Sequence, residues 1–140
     1  MPDNKSYTRR KRNAEQPVQA DGEGHLPPQA PELEKAVLGA LLLEQDAYPL
    51  VADLLKPESF YEVRNQLIYK AVLTLNLNNQ PVDMLTVQQQ LVKTGDLDEV
   101  GGPYYIAELT ANMASSAHIE THAKIIAQKY LARQLIMYTS

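Results

Sequence analysis

The stretch ELEKAVLGALLL, residues 32–43, decides the fold class. Leu33, Val37, Leu38, Leu41 and Leu42 fall at i, i+4, i+5, i+8 and i+9, the spacing of one helix face. Glu32 and Glu34 sit in the first turn, where the helix dipole favours negative charge. Gly39 interrupts the run and costs about 1 kcal/mol against alanine in a helix interior. That cost predicts a neighbouring helix approaching closely at Gly39.

Toward the C-terminus the same period recurs. Leu50, Val51, Leu54 and Leu55 predict a short second helix, with Pro49 in its first turn and Pro57 ending it. Phe60 and Tyr61 lead into a third helix carrying Leu67, Ile68, Ala71, Val72 and Leu75, closed by turn residues between Asn76 and Pro81. A fourth helix is expected from Thr86, with Gln89 placed for a capping box, Leu91 and Val92 inward, and Gly95 at its C′ position. Gly101, Gly102 and Pro103 break the chain before a fifth helix with Tyr104, Tyr105, Ile106 and Leu109. No alternation of period two persists, so no strand is expected and the chain reads as all-α.

The last helix is predicted from about Ile119 to the end of the chain. One stripe is Ile119, Ala123, Ile126, Tyr130 and Met137; a second apolar set is Ile125, Leu131, Leu135 and Ile136. A helix apolar over more than one face needs cover on more than one side. The sequence leaves two sources of cover open: another subunit, or a downstream segment folding back.

Toward the N-terminus the pattern fails. Residues 1–31 hold Pro17, Pro27, Pro28 and Pro31 among polar residues, with no apolar period, and read as a disordered tail. Arg9, Arg10, Lys11 and Arg12 form a basic cluster there, read as solvated tail in preference to a phosphate-binding arm. The tail carries five basic and four acidic side chains, net +1; residues 32–140 carry eight and thirteen, net −5. Phosphate neutralisation needs the opposite sign, so the folded part is expected to meet proteins.

The 140 residues fit one domain with a tail. With no cysteine, disulfides and thiol ligands are excluded. No run approaches the roughly 18 apolar residues of a membrane span. The N-terminus lacks the apolar core of a secretion signal, and the expected location is cytoplasmic.

Candidate chemistry is thin. No GxxxxGK[ST] loop and no GxGxxG occurs, so no nucleotide site is expected in this chain. His118 and His122 have metal-compatible i, i+4 spacing, but with Glu120 the order is HxExH, and surface or interface roles are the simpler reading. Asp96, Asp98 and Glu99 open like a calcium loop, but Val100 and Ala107 stand where ligands are needed. Ser115 and Ser116 lie near His118 and read as helix N-caps. Catalytic, cofactor and metal residues are therefore all assigned as none.

Five segments, in order, resemble the N-terminal domain of DnaB-type replicative helicases from about Pro28 to Tyr138. These are residues 34–43 with their glycine; Phe60-Tyr61 with Ile68-Tyr69; Pro81-Val-Asp83 with Leu85-Thr86; Val100-Gly101-Gly102 with Tyr105-Ile106 and Leu109; and Ile119, residues 123–126 and residues 133–136. Asn65 stands where the family commonly has histidine, and His118 where it commonly has asparagine. The resemblance implies a helical head over residues 32–117 and the first arm of a helical hairpin over residues 118–140. It further implies hairpins pairing between subunits of a hexameric collar that docks a DnaG-type primase, with a helicase loader as a further candidate partner. ATP, Mg and single-stranded DNA would belong to a motor downstream of Ser140. Ile119, Ile125, Leu131 and Leu135 are the interface residues this implies. The alternatives are the helicase-binding C-terminal domain of a DnaG-type primase, which the N-terminal methionine and leader argue against, and a small DNA-binding helical module using residues 9–12.

Overall fold

The computed structural model describes residues 26–111 and 117–139. The basic cluster at residues 9–12, most of the expected tail, and Ser115 and Ser116 lie outside the described residues. Six α-helices appear among the described residues, with no strand. They are α1 (Pro31–Leu43), α2 (Tyr48–Val51), α3 (Val63–Leu77), α4 (Met84–Thr94), α5 (Gly102–Ala111) and α6 (Ile119–Thr139), with a 3-10 turn at Pro57–Ser59 between α2 and α3.

Helix α1 is the central element, touching α3, α4, α5 and α6. Pro31 lies in its first turn, where a missing N–H costs nothing. Val37 through Leu42, Gly39 included, are all buried. Around α1 close Phe60, Ile68, Tyr69, Val72, Leu91, Ile106 and Ile126, each essentially without exposure. The Phe60 and Tyr69 rings meet at 5.1 Å, and the Tyr69 hydroxyl donates to the Leu55 carbonyl at 3.1 Å.

Several boundaries differ from the sequence expectation. Helix α2 is a single turn, with Leu54 and Leu55 packed from the turns that follow it and Leu50 about half exposed. Helix α4 begins at Met84, two residues before the expected start, because Asp83 is the better acceptor at the N-cap. Its carboxylate accepts from the Thr86 N–H at 2.8 Å, while the Thr86 hydroxyl accepts from the Asp83 N–H at 2.9 Å. Thr86 is thus the third residue of the capping box rather than its start. Val92, expected inward, is 60% exposed, one position off the Val87–Leu91 face.

Gly95 ends α4 at φ 80, with the Asp96 N–H reaching back to the Leu91 carbonyl, a left-handed cap that glycine alone adopts freely. Gly101 (φ 101) and Gly102 (φ 72) turn the chain sharply into α5. Tyr105, Ile106 and Leu109 face the core there, while Tyr104 is almost fully exposed. No helix is long and apolar enough to cross a membrane among the described residues.

Candidate interaction surface

The first turns of α6 are ordinary core. Ile119, Ala123 and Ile126 are buried, and α6 packs along α1 and α2. Ile119 was expected at a subunit face; it is instead 3% exposed inside the head, because the helix enters with that side against α1 and α2. Ile125 is half-buried, whereas Leu131 and Leu135 are 59% and 58% exposed. Ile136, Met137 and Tyr138 extend the exposed apolar surface to the end of the helix. Met137, expected on the buried stripe, is among these because the head packs less closely on that part of α6.

Beside this row runs a groove of about 640 Å³, walled by Pro27 and Pro28, floored by Phe60 and Tyr61, and closed by Tyr130 and Met137. The volume lies within the range of small-ligand and peptide-side-chain sites. Arg133 stands in it, with its guanidinium 5.3 Å from the Tyr61 ring centre and 5.7 Å from that of Tyr130. Lys56 adds a second cation 5.4 Å from the Tyr130 ring.

A buried polar cluster supports the head under this surface. The Glu34 carboxylate, 1% exposed, accepts from the Tyr61 N–H at 2.6 Å and from the Asn65 amide at 2.8 Å. The Asn65 oxygen in turn accepts from the Tyr105 hydroxyl at 2.6 Å. One hydrogen-bonded chain thereby ties α1, α3 and α5. The Arg64 guanidinium lies 3.7 Å from the centre of the Tyr105 ring, a cation–π contact. Burial, only partly offset by that guanidinium, pushes the Tyr105 phenol up to about 12, so it remains a donor at any ordinary pH.

Asn65 spends one donor and one acceptor in this chain, the pair a neutral imidazole also offers.

The sequence reading missed this cluster and the place of Arg133. Glu34 lies three, four and seven residues before Val37, Leu38 and Leu41, so the helical period itself puts a carboxylate on the buried stripe. Arg133 likewise follows Ile126 and Tyr130 by seven and three, on the stripe rather than off it. A charge on a buried stripe signals a partner waiting for it.

The candidate ligand sets lie beside helix ends. The His118 and His122 rings are 6.2 Å apart at the entry to α6. Asp96 accepts from the Thr94 hydroxyl at 2.7 Å beside the α4 cap. No group of three or more His, Cys, Asp or Glu residues that could hold a metal occurs among the described residues.

Residues 26–128 match the model of the DnaB-like helicase N terminal domain. The chain is 47% identical over 116 residues to the replicative DNA helicase DnaB of Rhodothermus marinus, covering 83% of the chain and 12% of that protein. It is 42% identical over 111 residues to the replicative DNA helicase DnaC of Bacillus subtilis, covering 79% of the chain and 24% of that protein. The chain thus spans at most about a quarter of the length of these relatives. Among solved structures, the N-terminal domain of DnaB helicase from Mycobacterium tuberculosis superposes with a TM-score of 0.78 at 35% identity, covering 81% of this chain and 83% of that one. A DnaB-like replicative helicase described with its interactions with primase gives a TM-score of 0.69 at 27% identity, over 79% of this chain and 25% of that one.

Proposed function

This chain belongs to the family of DnaB-like helicase N-terminal domains, and on that footing we propose that it is the assembly and docking module of a replicative DNA helicase. The observation carrying this reading is the apolar row on the C-terminal half of α6, where Leu131 and Leu135 stand more than half exposed. Isolated exposed leucines are ordinary, but Leu131, Leu135 and Tyr138 fall at i, i+4 and i+7 on one face of α6, with Ile136 and Met137 exposed elsewhere around the helix, and such a face is fit for burial.

The row pairs α6 with a second copy, which makes the head a rigid spacer within a ring. The same collar offers a surface to a DnaG-type primase, a reading supported by the primase interactions described for the DnaB-like structural relative. A hexamer requires a further contact besides this pairing, because one self-complementary face closes a dimer; a helicase loader is a further partner for the same collar. ATP and Mg binding, the grip on single-stranded DNA and unwinding itself belong to the rest of the parent protein, in the cytoplasm. No step of that chemistry is assigned to residues of this chain.

Titrating the chain with the helicase-binding domain of a primase from the same organism, followed by calorimetry, tests the docking role. Saturable binding with a negative heat-capacity change is expected, because the contact buries apolar surface. Absence of heat at every concentration, repeated with the full-length helicase, would remove primase docking from the reading.

A further inference from the structure

The lead-in to α1 and the far half of α6 are 105 positions apart in sequence and meet at one cation. Arg133 donates from Nη1 to the Pro28 carbonyl at 2.7 Å and from Nη2 to the Ser59 carbonyl at 3.0 Å. Pro28 belongs to residues 26–30, which form no helix and lie along α6 as a strap before α1 begins. Ser59 ends the 3-10 turn that delivers Phe60 and Tyr61 to the groove floor.

The position of Arg133 along α6 gives these bonds their consequence. Up to Ile126 the helix is held by buried apolar contacts. Beyond Tyr130 its large apolar side chains are at least half exposed, so burial against the head is weaker there. Arg133 therefore ties head to helix by hydrogen bonds where apolar burial is weaker, and a planar guanidinium fork can satisfy two carbonyls at once.

We infer that Arg133 is a releasable latch. Closed, it pins the strap and the 3-10 turn to α6 and fixes the direction in which the helix leaves the head. Open, it frees both and widens the groove between Pro28 and Met137. Two neutral carbonyls hold the cation, so these bonds are weaker than those of an ion pair and can open without unfolding the core. The consequence for subunit pairing rests on the interface reading of Leu131 and Leu135; the latch itself does not.

Hydrogen exchange followed by mass spectrometry tests it, on Arg133→Gln and Arg133→Lys in a Leu135→Asp background that suppresses association. Arg133→Gln is expected to speed exchange about tenfold in the 3-10 turn, at Ser59 and Phe60, and in residues 128–138. Segments within α1 and α3 should keep their protection. Arg133→Lys should fall between, because one ammonium does not span both carbonyls as the fork does. Unchanged exchange in all segments of both variants would overturn the latch. Equal acceleration throughout α1 and α3 would overturn it as well, showing Arg133 to be a general stability residue. Failure of the interface reading would leave these rates as expected, so the two are separable.

Discussion

The two halves of α6 contain similar residues and meet different fates. Ile119, Ala123 and Ile126 disappear into the head, whereas Leu131, Leu135 and Ile136 stay half exposed or more on the same helix. The difference lies in how closely the rest of the fold packs on each half, since the buried side chains of α6 among the described residues all lie at or before Ile126. Apolar spacing reports that a helix has faces to bury; the packing of its neighbours decides which faces this chain buries for itself.

That contrast can be broken or sharpened by substitution. The largest effect is expected at Ile126. Ile126→Ala should cost about 3 kcal/mol in urea unfolding, the usual range for a truncated core aliphatic. A loss no greater than that of an exposed residue would mean the first half of α6 is not core.

The polar cluster comes next. Glu34→Ala strands the Tyr61 N–H and the Asn65 amide in the interior and should cost about 2 kcal/mol. Asn65→His, which can supply the same donor and acceptor, should cost clearly less than Asn65→Leu in the same assay.

Tyr105→Phe removes one hydroxyl and should cost about 1 kcal/mol near neutral pH. The folded phenol titrates at about 12, above the 10 of an unfolded tyrosine. Its contribution is therefore complete below about pH 10 and lost as pH climbs toward 12. Stability curves of wild type and Tyr105→Phe should converge over that interval, and parallel curves would contradict the assignment. Smallest of all, Leu135→Asp should change unfolding free energy by under about 0.5 kcal/mol, as an exposed position does.

Much of this layout is legible in the sequence. Six helices follow from apolar spacing, and Gly95 and Gly101–Gly102 mark the breaks because only glycine takes positive φ there without strain. Legibility fades where two rules compete. Asp83 and Thr86 both qualify as N-caps, and the carboxylate prevails. Leu54 and Leu55 fit a helical period yet pack from turns, since Pro57 leaves the helix too little room. The Glu34–Asn65–Tyr105 chain spans 31 and 40 positions, and long-range hydrogen bonding leaves no periodic trace. The proposed interface residues divide in the same way. Its apolar character shows in the sequence, but the burial of Ile119 depends on where α1 and α2 lie.

We propose the C-terminal half of α6 as a surface for another subunit. Sedimentation velocity over a concentration series, on wild type and on Leu131→Asp with Leu135→Asp, tests it most directly. Concentration-dependent association of the wild type is expected, weakened at least about tenfold in the double variant, with an unchanged unfolding midpoint. Identical sedimentation of the two proteins at every concentration would contradict it.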